Sequence, residues 1–208
     1  MRIAIIGASA GVGLQCVRQA LTRGHQVTAL ARHCDALPSQ DSRIRVLAGD
    51  ATHLADLHAA IDDADAVVVT LGMGRSVRAT TLFSDAARVL LQVLDAKTLP
   101  LVVLTGFGVA DSLHYQPWFV RPLFRLVLGR VYDDKAEMER IITGGYRDWV
   151  MVRPGILTHG PARGLYHVFP TLERGMKVGR ISRADVAHFM FAQAESPTCL
   201  RQYPVLTD

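Results

Sequence analysis

The chain has 208 residues, half of them hydrophobic and a fifth charged, a composition that is typical of a globular protein with a well-buried core. This length is short for two domains, so residues 1–208 are expected to form a single domain. The net charge of +4 permits anionic ligands, but Lys and Arg are scattered without a dense basic run, so we expect no nucleic-acid partner.

The cysteines argue against a disulfide framework and against a metal site. The chain has three, Cys16, Cys34 and Cys199, which are far apart and form no C-x-x-C pair. This cysteine usage fits a reducing compartment. The sequence also shows no leader pattern and no apolar run of membrane-spanning length, so we expect a cytoplasmic protein with no membrane contact.

The first elements predicted are a strand, a glycine-rich turn, a helix and a second strand. The strand is an apolar, β-favouring run at residues 2–6, the helix covers residues 14–23, and the second strand covers residues 26–31. The turn holds three glycines that do not fit the plain G-x-G-x-x-G spacing: Gly7, Gly11 and Gly13. A helix N-terminus exposes unpaired N–H groups, and glycines let a pyrophosphate approach them. This unit therefore predicts a dinucleotide site.

The rest of the chain alternates short apolar strands with longer amphipathic helices. Strands are predicted at residues 44–47, 66–71, 101–104 and 149–152. Helices are predicted at residues 54–61, 81–96, 134–143 and 184–194. Such alternation indicates parallel strands with right-handed crossovers, and so an α/β, doubly wound (Rossmann) sheet with helices on both faces.

Two segments depart from this alternation. Residues 113–130 are apolar, aromatic and basic but interrupted by Pro117 and Pro122, and they predict a helical lid or dimer surface, with a membrane-surface helix as the alternative. The helix that follows is predicted to open at a capping box, Asp134-x-x-Glu137, and to stop at Gly144-Gly145. Behind a core of residues 1–156, residues 157–208 are predicted to supply pocket-forming loops and the last helix.

The residues that follow the predicted strands should line one crevice, because parallel strands bind ligands beyond their carboxyl ends. Arg32 stands where NAD-preferring folds usually carry Asp or Glu, so it favours NADP(H) through a contact with the 2′-phosphate. The alternative is an exposed surface arginine, and the nearby Asp35 keeps NAD(H) possible. Asp50 either accepts from the adenine amino group, with the Ala51 N–H on a ring nitrogen, or N-caps a helix that starts near Thr52.

Taken together, the glycine-rich turn, Arg32, Gly49-Asp50, Leu71-Gly72, the helix around Lys135 and the run from Val152 to Gly155 resemble the atypical short-chain dehydrogenase/reductase group. Within that group, the NmrA-like and biliverdin-IXβ (flavin) reductase-like NAD(P)-binding proteins are nearest. The resemblance covers nearly the whole chain. It implies an NAD(P)-binding Rossmann fold, and it assigns cofactor contacts to residues of this sequence.

The assignments run along the crevice from the diphosphate to the nicotinamide. The pyrophosphate would lie on the first turn: Gly7, Ser9, Ala10, Gly11, Val12 and Gly13. The adenosine end would be held by Arg32, Asp50, Ala51, Leu71 and Gly72. The nicotinamide would be flanked by Thr105, Gly106, Pro154, Gly155 and Ile156, with Lys135 on its ribose.

The catalytic residues of the group are matched less well. Its Tyr-x-x-x-Lys pair needs a phenol four residues before the lysine, but Val131 stands there, and Tyr132 lies at spacing three on roughly the same helix face. Tyr132 is therefore either a catalytic phenol or a packing residue. Lys135 holds the nicotinamide ribose or, alternatively, is a solvated lysine paired with Glu139.

Other acids of the group are also displaced. Its serine after the fifth strand falls on Thr105 or Gly106, and the histidine of its flavin-reductase-like members falls near Gly155. Three histidines in loops near the crevice are either further candidate acids or, in a chain with eight histidines, chance loop residues: His114, His159 and His167.

We therefore expect an NADP(H)-binding oxidoreductase, with NAD(H) possible, that transfers hydride to a small organic acceptor such as a quinone, flavin or carbonyl compound. The alternative is a non-catalytic NADP(H)-sensing regulatory or assembly protein, which the displaced acid–base residues favour. The expected partner is a small-molecule substrate, and the expected state is a monomer or small homo-oligomer.

Overall fold

A computed structural model describes residues 1–73, 81–115, 121–173 and 175–208, without the side chains of residues 121–127. Its strands are β1 Arg2–Ile6, β2 Gln26–Ala31, β3 Ile44–Ala48, β4 Ala66–Val69, β5 Leu101–Leu104, β6 Trp149–Pro154, β7 Ile156–Thr158, β8 His167–Phe169, β9 Arg180–Ser182 and β10 Val205–Thr207. Its helices are α1 Gly11–Thr22, α2 Leu54–Ile61, α3 Leu82–Leu94, the short 3-10 helix Ala110–Tyr115, α4 Arg121–Gly145 and α5 Arg183–Glu195.

The described strands form a mostly parallel sheet in the order β3-β2-β1-β4-β5-β6-β10-β8. The six strands from β3 to β6 are all parallel, whereas β8 runs antiparallel to β10. The order reverses beside β1, which is the switch point where such sheets bind ligands. This topology confirms the predicted doubly wound α/β fold, and a separate pair, β7 and β9, lies next to the sheet.

Helices cover both faces of the sheet, so the central strands are apolar on both sides. In β1, Ile3 and Ile5 belong to the hydrophobic cluster that includes α1 and α5, while Ala4 and Ile6 belong to the cluster that includes α2, α3 and α4. Successive side chains of β1 therefore point to opposite faces of the sheet and pack into two separate hydrophobic cores. None of the helices in the described ranges is both long and apolar enough to cross a membrane.

The prediction that a helix opens at Asp134 was wrong. Helix α4 begins at Arg121 and runs unbroken through Asp134 to Gly145, where it stops as predicted. The buried Asp134 carboxylate accepts hydrogen bonds from the N–H groups of Phe83 (2.9 Å) and Ser84 (3.2 Å). Asp134 therefore satisfies the N-terminus of α3, not that of its own helix.

Pro122 was expected to interrupt residues 113–130, but helix α4 runs through this proline. It lies in the first turn of α4, where a helix needs no N–H donor from that residue. Trp118 and Phe119 of the predicted lid or dimer surface lie outside the described residues. The strands β7 to β10 were not predicted, because runs of three residues show no measurable periodicity.

Candidate functional site

A cleft of about 640 Å³ opens at the carboxyl ends of β1, β2, β4 and β5. This volume lies within the usual range for cofactor sites. The cleft brings together many of the residues predicted to bind a cofactor: Gly7, Ser9, Ala10, Gly11, Val12, Arg32, Asp50, Ala51, Leu71, Gly72, Thr105 and Lys135. The remaining predicted contacts are not among its lining residues: Gly13, Gly106, Pro154, Gly155 and Ile156.

The glycine-rich turn is shaped by close backbone contacts. Gly7 has a φ of +84°, and a Cβ placed on it would lie 2.9 Å from the Thr70 carbonyl oxygen. A Cβ on Gly13 would collide with the Gly7 carbonyl oxygen. Gly13 therefore lets α1 pack against β1, whereas Gly11, with a φ of +55°, lies at the cleft, where the nearest atom to its Cβ position is the Nε of Arg183 at 3.9 Å.

The first turn of α1 has the features of an anion site. Its N-cap residue, Ala10, has no side chain that accepts from the first N–H groups, and no acidic residue lies in that turn. Those N–H groups carry the positive end of the helix dipole. The turn is therefore ready to receive a negatively charged group from the cleft.

Arg32 directly follows β2 and is exposed at the cleft, next to His33. Its charge acts on the Asp50 carboxyl, which lines the same cleft. Asp35, the acidic residue that left NAD(H) as a possible cofactor in the sequence analysis, is exposed and does not line the cleft. The end of β2 therefore presents a cation at the cleft, where an NAD-preferring site presents an acid.

Asp50 does not N-cap α2, so that alternative was wrong. Helix α2 begins at Leu54 with His53 as its N-cap. The Asp50 carboxylate accepts from the Thr52 N–H (2.9 Å) and the Thr52 hydroxyl (2.8 Å), and these bonds hold the pKa of Asp50 below its usual range. Asp50 is therefore a fixed, charged acceptor, and its contact with adenine stays a prediction.

Lys135 reaches the cleft from α4 and is held by β5. Its ammonium donates to the Thr105 carbonyl (2.7 Å) and lies 5.1 Å from the centre of the Phe83 ring. Burial lowers the pKa of Lys135 to about 8, although the charge of Glu139 acts to raise it. The alternative of a solvated Lys135–Glu139 pair was wrong, because both Glu139 oxygens accept from Arg153.

Tyr132 is not among the residues that line the cleft. Its ring packs against the hydrophobic cluster of α2, α3 and α4, and its hydroxyl is 3.3 Å from where a Cβ on Gly106 would lie. Burial raises the pKa of Tyr132, whereas a dehydrogenase phenol needs a lowered pKa. These features favour the packing alternative for Tyr132.

The structure separates the three candidate histidines. His159 lines the cleft, whereas His114 on the 3-10 helix and His167 on β8 are exposed and do not line it. The cleft also contains Arg183, the first residue of α5, which sequence reasoning missed. The capping pair of Ser182 and Asp185 marks this helix start, but local sequence does not show which cleft the helix faces.

Arg153, in the run that ends β6, has a structural role. This buried guanidinium donates to both oxygens of Glu139 (3.1 and 2.6 Å) and to Asp111 (2.7 Å). It also lies 4.3 Å from the centre of the Tyr203 ring. Arg153 therefore joins β6 to α4 and to the 3-10 helix that follows β5.

Two solved structures share the fold of this chain over its whole length. ChuY, an anaerobillin reductase from Escherichia coli O157:H7, is 23% identical with a TM-score of 0.81, covering 100% of this chain and 97% of ChuY. A short-chain dehydrogenase/reductase from Veillonella parvula in complex with NADP is 15% identical with a TM-score of 0.80. The match covers 100% of this chain and 94% of the Veillonella protein. Both show the shared fold.

A curated relative extends the comparison to sequence. Reductase PytE from Aspergillus terreus is 27% identical over 238 residues, covering 91% of this chain and 89% of the relative. The sequence model of the NAD(P)H-binding family matches residues 7–197, nearly the whole chain. The protein therefore belongs to the NAD(P)H-binding family, as the resemblance to NAD(P)-binding proteins implied.

Proposed function

We propose that this protein is an NADP(H)-dependent cytoplasmic reductase of a small organic acceptor, such as a quinone, a flavin or a carbonyl compound. The observation that carries the proposal is one cleft with the glycine-rich turn after the central strand β1, Arg32 after β2 on one side, and Lys135 beside Thr105 after β5 on the other. A relative named as a reductase supports the reaction class. The preference for NADP(H) rests on Arg32 alone.

When bound, the nicotinamide group supplies the hydride. The residues of this chain bind and orient it: the N–H groups of α1 and Arg32 receive phosphates, and the ammonium of Lys135 donates to the ribose hydroxyls while Thr105 fixes its position. Leu104 and Leu157 line the cleft and help to exclude water.

The proton follows a different route from that of a typical short-chain dehydrogenase, because Tyr132 lies outside the cleft lining. A reduced flavin or quinone takes up its proton from water, so neither acceptor needs a phenol. For a carbonyl acceptor, His159 is the lining residue that can donate a proton to the nascent alkoxide.

The direct test is NADPH oxidation, followed at 340 nm, with a panel of quinones, flavins and aldehydes. Turnover with one class supports the proposal and names the acceptor. Tight NADPH binding without turnover on any of them would instead support a non-catalytic NADP(H) sensor, the alternative that the position of Tyr132 favours. Failure to bind any dinucleotide would overturn both.

Replacement of Arg32 by alanine is expected to weaken NADPH binding by about 10- to 100-fold, because a charge-assisted contact with the 2′-phosphate is lost. NADH affinity should change by less than about twofold, since NADH lacks that phosphate. Isothermal titration calorimetry with both cofactors measures the two losses.

The matched control for Arg32 is Arg45→Ala on the neighbouring strand β3. Arg45 is exposed and does not line the cleft, so its removal changes the net charge equally without touching the site. Equal losses of NADPH and NADH affinity in Arg32→Ala would contradict the assignment of the 2′-phosphate.

NADPH affinity is expected to fall as the pH rises through about 8, the pKa to which burial lowers Lys135. Below that pH the side chain is an ammonium that donates to the cofactor, and above it the charge is lost. The dissociation constant measured from pH 6.5 to 9.5 should therefore rise above pH 8. Lys135→Met should bind more weakly at pH 7 and show no such rise; a wild-type rise that persists in this variant would assign the titration to another group.

A further inference from the structure

Arg183 stands against the glycine-rich turn from another part of the chain. It is the first residue of α5, and its Nε atom lies 3.9 Å from the position that a Cβ on Gly11 would occupy. Its Nη1 atom donates to the Leu157 carbonyl at 3.3 Å, a long hydrogen bond. The side chain is half-buried and lines the cleft.

The charge of Arg183 has no acidic partner among the residues that the structure describes. Among the ion pairs found in residues 1–73, 81–115, 121–173 and 175–208, none includes Arg183. The first turn of α1, which faces it, holds no carboxylate either. A half-buried guanidinium beside helix N–H groups is held in a region of positive potential, which an anion would stabilise.

We propose that Arg183 binds the diphosphate bridge of the dinucleotide, so that the bridge lies between its guanidinium and the first turn of α1. This inference rests on the proposed function, since it needs a dinucleotide in the cleft. The Arg183 Nε atom lies 3.9 Å from the position of a Cβ on Gly11, so a phosphate oxygen that accepts from the first-turn N–H groups would also be near this guanidinium. The planar fork of arginine fits two phosphate oxygens at once.

The role differs from that of Arg32 in a way that can be measured. The 2′-phosphate is present in NADP(H) alone, whereas the diphosphate is common to NADP(H) and NAD(H). Arg183 therefore sets the affinity for both cofactors and Arg32 sets the choice between them. Because Arg183 also donates to β7, diphosphate binding is coupled to the segment that carries His159.

The test is calorimetric titration of the variants Arg183→Gln and Arg183→Lys with NADPH, NADH and ADP-ribose. Arg183→Gln is expected to weaken all three by a similar factor of about 10- to 100-fold, leaving the ratio of NADPH to NADH affinity unchanged. Arg183→Lys keeps a point charge but loses the fork, so it should lose about 3- to 10-fold. The control is Arg18→Gln, an exposed arginine of α1 outside the cleft, which should bind all three ligands as the wild type does.

Three outcomes would overturn the proposal. Unchanged affinity in both Arg183 variants would show that the side chain does not contact the cofactor. A loss confined to NADPH would show that Arg183 contacts the 2′-phosphate and not the diphosphate. An equal loss in Arg18→Gln would show that the change in net charge, and not a contact of Arg183, weakens binding. If Arg183→Gln does not fold, judged by circular dichroism, the Arg183→Lys series decides. Failure of the wild type to bind any of the three ligands would instead overturn the proposed function.

Discussion

Replacement of Glu139 by leucine is expected to lower the free energy of unfolding by about 3–5 kcal/mol, because it leaves the buried Arg153 charge without its two-point partner. Arg153 is 1% exposed and Glu139 is 3% exposed, so water cannot replace the lost carboxylate. Asp111 would remain bonded, but its side chain is largely exposed and compensates only part of the charge. Urea unfolding followed by circular dichroism measures the loss.

The double variant Glu139→Leu/Arg153→Met is the control for this prediction. Removing both charges and keeping a similar volume should restore most of the stability, since buried ion pairs contribute little net free energy against well-packed apolar residues. A double variant as unstable as Glu139→Leu would mean that the single loss arises from packing and not from an unpaired charge. The variants also test how firmly Arg153 holds the 3-10 helix, which should exchange amide hydrogens faster in the double variant.

The fold followed from patterns that are local in sequence. The run from Ile3 to Ile6 is apolar at every position, and this indicates a strand covered on both faces, as the structure has it. The start of α4 and the role of Asp134 did not follow, because the Asp134 carboxylate bonds N–H groups that lie 50 and 51 residues earlier. A capping pattern read along the sequence cannot distinguish the cap of its own helix from that of another.

The candidate site also contains residues that local sequence predicts and one that it does not. The glycine-rich turn, Arg32 and Asp50 each lie directly after a strand, so the topology of a parallel sheet is enough to bring them to one cleft. Arg183 reaches that cleft from a helix that starts about 170 residues after Gly11, and only the packing of α5 against α1 brings it there. Its position depends on tertiary contacts that no local spacing encodes.

The substrate end was the least predictable from sequence. The spacing of Tyr132 and Lys135 places both on roughly one helix face, yet only Lys135 lines the cleft, because the Tyr132 ring is taken up by the apolar cluster beneath. Arg153, which carried no assigned role in the run from Val152 to Gly155, is buried and tied to Glu139 and Asp111. In both cases the side chain packs in the interior and does not line the cleft.

Replacement of Gly11 by leucine is expected to abolish binding of both NADPH and NADH, a loss of more than about 100-fold, while the protein stays folded. A Cβ on Gly11 meets nothing closer than Arg183 at 3.9 Å, so the added side chain extends into the cleft where the diphosphate is proposed to lie. The φ of +55° costs about 1–2 kcal/mol for a residue other than glycine, which lowers the stability without unfolding the protein. Calorimetric titration and thermal unfolding measure the two effects.

Gly13→Ala is the matched control, because it changes a glycine of the same turn that does not line the cleft. Its new methyl group would collide with the Gly7 carbonyl oxygen and lie 2.6 Å from the Thr70 hydroxyl, so α1 must move away from β1 and the stability should fall by about 3 kcal/mol. The loss of binding is therefore expected at Gly11 and the larger loss of stability at Gly13, two residues further along the chain. A Gly11→Leu protein that still binds NADPH would place the diphosphate elsewhere, whereas a Gly13→Ala protein of unchanged stability would show that the turn is less tightly packed than its backbone contacts require.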